Sequence, residues 1–344
     1  MDENLRKIAK KLVASGKGIL AADESSGTME KRLLSIGLQS TEEIRRTYRQ
    51  MLFTTDGIEE FISGVILFDE TLRQVFFDKA QGRQGKPFVK ILEEKGILPG
   101  IKVDQGKSER SDCPGEMVTD GLDGLRERLE EYKNLGARFT KWRAVFSISE
   151  NTPTETCIDM NAEGLAQYAK VSQEVGLVPI VEPEVLTDGG HDLAESEKVT
   201  YKVLKRVFTT LSKHDVDFFG MLLKPNWVHH GKDCPKKSSV KEIAEATLRV
   251  MKEAVPDEVP GLVFLSGGVS PDKSTAILSA MNKYNKLPWQ ISFSFGRALQ
   301  SEALKIWEGK SENIKKAQDV FYNRAKLVSI ARKGNSPKYA QNVR

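Results

Sequence analysis

Lys224 closes the apolar run "FGMLLKPNWV" (219–228), whose other residues read as a buried strand. Lys102 in "GIKVDQG" and Lys141 in "KWRAV" stand at the ends of similar runs. So do Asp23 in "GILAADES" and Glu182 and Glu184 in "VPIVEPEVL". A lysine at a strand end has an ordinary use: its head snorkels to water while its stem covers apolar surface. Several ionisable groups converging on one rim have a chemical use, because crowded charges are costly and persist where function needs them. An amine is a nucleophile only when neutral, and neighbouring cations or desolvation push it toward that form. Lys224, with Lys141 near it, is the candidate amine, and Glu182 is the candidate carrier of protons. Spacing by two sends Lys102 and Asp104, Lys141 and Arg143, and Glu182 and Glu184 each to one face of a strand.

Anion-seeking groups accompany them. Ser266, Gly267 and Gly268 in "FLSGG" end one run, and Ser294, Gly296 and Arg297 in "FSFGRAL" end the next. Close backbone N–H groups plus a cation make a phosphate site, although a glycine pair alone also makes a plain tight turn. Ser25, Thr28, Arg32 and Lys102 form a second such set. Two sets on one rim suit a substrate phosphorylated at both ends. Metal chemistry is not expected. His191, His214, His229 and His230 sit in loops or on a helix, without His-x-His or His-x-x-x-His spacing. His229 and His230, as sequence neighbours, are expected to point apart on a loop surface.

The elements that must position these groups are legible as eight short β-like runs: "GKGILAADES", "FISGVILFDE", "ILPGIKVDQG", "ARFTKWRAVF", "LVPIVEPEVL", "FGMLLKPNWV", "GLVFLSGGVS" and "PWQISFSFGR". Each interval leaves room for a crossover helix. Ser40 with Glu43 and Ser239 with Glu242 fit the capping box, and Ser270-Pro271 fits a helix start. Val199, Val203 and Val207 recur every four residues beside Leu204, Phe208 and Leu211, a helical stripe. Gly136 and Gly176 follow helical patterns, as helix-ending glycines do. Eight βα units predict a (β/α)8 TIM barrel, with active groups and phosphate sites at the carboxyl ends of its strands. The alternative, a doubly wound open sheet, lacks its G-x-G-x-x-G fingerprint after the first strand. Residues 1–344 are expected to form one domain, with an extra N-terminal helix carrying Leu5, Ile8, Leu12 and Val13 on one side. C-terminal helical additions and a mobile polar tail over about 332–344 complete the expectation.

Composition excludes other classes. In 344 residues, 39% are hydrophobic and 29% charged, enough apolar material for a large core. Lys and Arg (52) and Asp and Glu (48) are interspersed, so no basic stripe argues for nucleic acid. No stretch approaches the roughly 18 apolar residues that cross a membrane. The N-terminus carries acids and no apolar core, so a secretory leader is not expected. Three scattered cysteines (Cys113, Cys157, Cys234) suggest neither a disulfide framework nor zinc, and so a reducing, cytoplasmic setting.

Seven of these stretches together, "GKGILAADES", "GIKVDQG", "KWRAV", "VPIVEPEVL", "LLKPN", "FLSGG" and "FSFGRAL", closely resemble the class I fructose-bisphosphate aldolases. The likeness runs from about residue 5 to about residue 330, in the family's order and spacing. It implies a (β/α)8 barrel, usually a homotetramer, acting in glycolysis and gluconeogenesis with no metal or other cofactor. Its partners would be sugar bisphosphates and triose phosphates. By this resemblance Lys224 forms the Schiff base, and Glu182 is the acid/base of carbinolamine dehydration. Asp23 is the carboxylate of C–C cleavage, with Lys141, Glu184 and Arg143 as charged neighbours. Ser266, Gly267, Gly268, Ser294, Gly296 and Arg297 hold the phosphate of the ketone-side fragment; Ser25, Thr28, Arg32 and Lys102 hold the other. Thr28 replaces a common serine, and Phe295 stands where animal members have tyrosine, removing a hydroxyl beside the phosphate site. Animal members end in a tyrosine that assists proton transfer, whereas this chain ends in "QNVR", with Tyr339 the nearest candidate. Two other readings remain: a Schiff-base lysine aldolase or transaldolase for another sugar phosphate, and a non-catalytic sugar-phosphate-binding scaffold. Paired phosphate groups disfavour the first, and the presence of both Lys224 and Glu182 disfavours the second.

Overall fold

Parallel strands cannot be joined by a hairpin, so every pair of neighbours here needs a crossover, and helices supply it. In the computed structural model, which describes residues 3–78, 82–284 and 286–335, each of the eight runs contains a strand. In order they are Gly18–Ala22, Ile62–Leu67, Leu98–Lys102, Phe139–Phe146, Val178–Val185, Leu222–Leu223, Gly261–Phe264 and Gln290–Phe295. Each pairs in parallel with the next, and the eighth pairs with the first, so the sheet closes into the expected (β/α)8 barrel. Closure leaves the barrel sheet itself without an edge.

The helices begin and end where their local chemistry directs. Ser239 and Glu242 form the capping box of helix Val240–Ala254. Ser270 caps Pro271–Met281, with proline at the first position, whose missing N–H costs nothing there. Gly176 ends Glu155–Val175 with φ 86°, a left-handed turn that favours glycine. Val199, Val203, Leu204 and Val207 are buried on Leu193–Lys213. One start differs from expectation. Helix Glu42–Phe53 is capped by Thr41, which accepts from the Ile44 amide, while Ser40 Oγ accepts from Arg45 instead. Either hydroxyl can cap, and acids at both 42 and 43 let the frame move by one residue.

Two layers of core result. The outer layer lies between strands and helices. The inner layer fills the barrel with Ile19, Ile66, Phe139, Val178, Ile180, Leu222 and Val263, and the N-terminal helix Glu3–Leu12 stoppers its floor with Leu5, Ile8 and Leu12. Phe139 needs room: a Cβ added to Gly100 would lie 2.3 Å from its ring. At the other end of the chain, helix Ile314–Arg332 packs on Arg297–Trp307. Arg332, the first residue of the expected tail, belongs to this helix. Arg332 is buried, and its guanidinium donates to the carbonyls of Val13, Ala14, Lys17 and Ile291. Residues 336–344, including Tyr339, lie outside the described residues. Two antiparallel pairs were not anticipated: Val75–Asp78 with Arg83–Pro87, and Lys107–Arg110 with Cys113–Thr119.

Candidate active site

The alternation of the strands builds the site. On strand five, Val178 and Ile180 belong to the inner core and Val181 and Val185 to the outer one. Glu182 and Glu184 continue the inward face of Val178 and Ile180 above the apolar floor. Strand four repeats the pattern, with Phe139 below and Lys141 and Arg143 above. A cavity of about 760 Å³ opens at this rim, and every candidate residue except Gly268 lines it. Gly268 lies one position past the wall, in a turn with φ 71°. Gly267, just before it, faces the cavity.

The lysines do not stand as bare like charges, because carboxylates separate them. Lys224 Nζ lies 3.1 Å from Glu182 Oε1, and Lys141 Nζ lies 3.3 Å from Glu182 Oε2. Lys141 Nζ also lies 2.8 Å from Asp23 Oδ2 and 3.7 Å from Asp104 Oδ2. Lys102, opposite Lys141 in the sheet, pairs with Asp104 Oδ1 at 2.6 Å. Arg143 Nη1 donates to Glu184 Oε2 at 3.0 Å. The side chains of Lys141, Lys224 and Glu182 are each about 5% exposed or less. Asp104 is the residue that sequence reasoning left without a role. Its position two beyond Lys102 was the only signal, and it ties the Lys102 arm to the Lys141 centre.

Burial and charge act against each other here. For Asp23, burial favours the neutral acid, but Lys141, Lys224 and Lys102 outweigh it and hold the carboxyl well below the usual range. For Lys141, burial acts to discharge the amine, yet Asp23, Glu182 and Asp104 raise its pKa above the usual lysine value. Glu184 moves the other way: burial, reinforced by the charge of Glu182, raises it despite Arg143. The site thus holds an ionised acid and a permanent cation beside a carboxyl that protonates more readily.

Both anion-seeking sets flank this centre. Ser294 Oγ is buried and has no hydrogen-bond partner within the protein. Gly267 is closely approached, since a Cβ there would lie 2.6 Å from Glu184 Oε1 and would have to displace that side chain. Arg297 opens helix Arg297–Trp307 and is exposed. Opposite, Ser25 precedes helix Ser26–Leu34 without spending its hydroxyl on a cap; it faces Thr28 Oγ1 at 3.1 Å. Arg32 pairs with Glu24, and its Nη2 lies 3.9 Å from a Cβ built on Gly296, which puts it between the two sets. Phe295 is wholly buried in the outer core, 5.4 Å from the Phe293 ring centre, so its missing hydroxyl would not have faced the cavity.

The histidines differ from expectation. His229 and His230 do not point apart: their ring centres are 4.0 Å apart, and His230 is buried. The chain here is neither strand nor helix, so no alternation separates them. His230 Nδ1 accepts from the Ser238 amide, and His229 Nδ1 contacts the His230 carbonyl. Burial drives both pKa values down to about 4. Among the described residues no three His, Cys, Asp or Glu side chains are grouped to hold a metal ion, and no helix is long and apolar enough to cross a membrane.

Fold and rim together define a (β/α)8 barrel with a lysine–carboxylate centre between two anion-seeking walls. The chain belongs to the class I fructose-bisphosphate aldolase family, whose model, described as fructose-bisphosphate aldolase class-I, matches residues 4–344. It is 50% identical to a probable class 1 fructose-bisphosphate aldolase of Xylella fastidiosa, over 96% of this chain and 98% of that one. It is 51% identical to the muscle-type fructose-bisphosphate aldolase of Lethenteron camtschaticum, over 96% and 90%. Against cytoplasmic isozyme 1 of Pisum sativum the identity is 50%, over 96% and 91%. The solved fructose-bisphosphate aldolase of Plasmodium falciparum superposes with a TM-score of 0.94 at 45% identity, covering 97% of this chain and 95% of that one.

Proposed function

We propose that the chain, as one barrel domain, reversibly cleaves fructose 1,6-bisphosphate to dihydroxyacetone phosphate and glyceraldehyde 3-phosphate through an imine on Lys224. The observation that carries this reading is the placement of Glu182, with one oxygen 3.1 Å from Lys224 Nζ and the other 3.3 Å from Lys141 Nζ. Glu182 takes the proton that must leave Lys224 and gives one to the departing oxygen, so the ketone C=O becomes C=N with loss of water. The protonated imine then draws the electron pair of the breaking C3–C4 bond. Asp23, kept ionised by Lys141, accepts the C4 hydroxyl proton as the aldehyde forms. The remaining enamine takes a proton at C3, and water hydrolyses the imine to free Lys224. No step calls for a metal ion or another cofactor.

Orientation comes from the ends of the substrate. Ser266, Gly267, Ser294, Gly296 and Arg297 take the ketone-side phosphate; Ser25, Thr28, Arg32 and Lys102 take the other, so the reacting carbons lie between Lys224 and Asp23. Gly268 shapes the turn that presents Gly267. Glu184 and Arg143 form the wall beside Glu182. A cytoplasmic setting is supported by the pea relative, a cytoplasmic isozyme, and a tetramer by the family resemblance.

Borohydride added during turnover tests the imine. The protein should lose activity irreversibly, gain the mass of a reduced dihydroxyacetone phosphate adduct, and carry it on Lys224. Lys224→Arg should abolish labelling and cleavage together. Label on Lys141 or Lys102, or an active Lys224→Arg protein, would remove Lys224 from the mechanism. Turnover of monophosphates in preference to the bisphosphate would reassign the substrate.

A further inference from the structure

Behind Arg32, a second arginine is buried where no substrate can reach it. Arg49, on helix Glu42–Phe53, has a side chain 3% exposed, and its Nη2 lies 2.6 Å from Glu24 Oε2. Its Nη1 is buried without a hydrogen-bond partner. Glu24, 5% exposed, meets Arg32 Nη1 with its other oxygen, which also accepts from Gln300 Nε2 at 3.1 Å. Gln300 is fixed in turn: its Nε2 donates to the Ala21 carbonyl at 2.7 Å and its Oε1 accepts from Tyr48 at 3.2 Å. Arg32 therefore spends one nitrogen on Glu24 and leaves Nη2 beside Gly296, at the cavity wall.

We propose that Arg49 is a positioning residue for the anion site, acting through Glu24 on Arg32; this rests on the function proposed above. The charge count explains why two arginines are needed. Arg32 and Glu24 alone would form a closed neutral pair with little attraction left for phosphate. With Arg49 on its far oxygen, Glu24 is shared between two cations, and the trio keeps one net positive charge at the wall. Glu24 is also pulled back against the helix, which aims the fork of Arg32 instead of letting it fold over the carboxylate. Arg49 does not itself line the cavity, whereas Glu24 and Arg32 do, so its effect is carried by that pair.

The test is a double-mutant cycle of Arg49→Met and Arg32→Met in the full chain, read as KM and kcat for fructose 1,6-bisphosphate and as inhibition by inorganic phosphate. Arg49→Met should raise KM and the phosphate inhibition constant by about 10-fold, with kcat and borohydride labelling of Lys224 within about 2-fold of wild type. In the Arg32→Met background it should add less than about 2-fold. Equal KM effects in both backgrounds, an unchanged KM, or a loss confined to kcat would overturn the proposal. If Arg49→Met fails to fold because the far oxygen of Glu24 is left without a donor, Arg49→Gln offers that oxygen a neutral donor and removes only the charge. That variant should raise KM as Arg49→Met is expected to, and a wild-type KM would overturn the proposal. A wild-type protein that cleaves no bisphosphate, yet loses phosphate binding in Arg49→Met, would leave this inference standing and refute the assigned reaction.

Discussion

Lys141 Nζ stands 2.8 Å from Asp23 Oδ2, in a pocket where the lysine is 4% and the aspartate 14% exposed. The two residues come from strands on different sides of the barrel, and neither charge has enough water to stand alone. Each holds the other ionised: Asp23 is lowered and Lys141 raised from its ordinary value.

Stability should record this pairing. A carboxyl lowered from 3.8 in the folded state stabilises the fold at pH values above that figure. The contribution is lost as pH falls below it and Asp23 is protonated. The melting-temperature gap between wild type and Asp23→Asn should stay constant from pH 7 to about 5 and shrink below about 4. A gap that widens in acid would show that Asp23 is not held ionised.

Glu182→Gln keeps the shape of the side chain and removes its proton traffic. We expect kcat to fall roughly 10²- to 10⁴-fold with KM little changed. Steady-state kinetics at saturating substrate decide it, and a normal kcat would remove Glu182 from the reaction.

Arg297→Ala should behave in the opposite way. Losing one charge-assisted contact to phosphate corresponds to about a 10- to 100-fold rise in KM. Since Arg297 is exposed, stability should barely change, which thermal melts can verify in the same preparation. A wild-type KM would mean that the end of strand eight holds no phosphate.

Gly100→Ala is predicted to destabilise the fold by about 1–3 kcal/mol, because the new methyl meets the Phe139 ring inside a filled barrel. Chemical denaturation measures this, and Gly100→Ala with Phe139→Leu should recover part of the loss. An unchanged midpoint in the single variant would show that the inner core is loosely packed.

Chelation completes the set. Activity should survive EDTA, because the proposed steps use only Lys224, Glu182 and Asp23. Inactivation reversed by Zn²⁺ would contradict the imine route.

How far the sequence could be read follows from what each feature depends on. The barrel and the strand-end charges were legible because period-two alternation is local: Val178, Ile180, Glu182 and Glu184 share a face whatever surrounds them. Partnerships were not. Glu24, between Asp23 and Ser25, gave no sign that Arg49 and Gln300 would close around it, since those contacts span separate helices. The Lys107–Arg110 and Cys113–Thr119 pair escaped notice because it is largely polar and offers no apolar run. His229 and His230 were misjudged because adjacency implies divergence only in regular backbone.

The Arg332 guanidinium reaches a carbonyl 318 residues earlier, at Ala14, so the last described helix is fastened to the segment that follows the first. This fastening and the pairing of strand eight with strand one join segments far apart in the sequence. Contacts of such separation carry a large loop-closure entropy, which the strands and helices between them must offset. A buried arginine on the last helix therefore acts as a non-covalent clasp around the whole barrel.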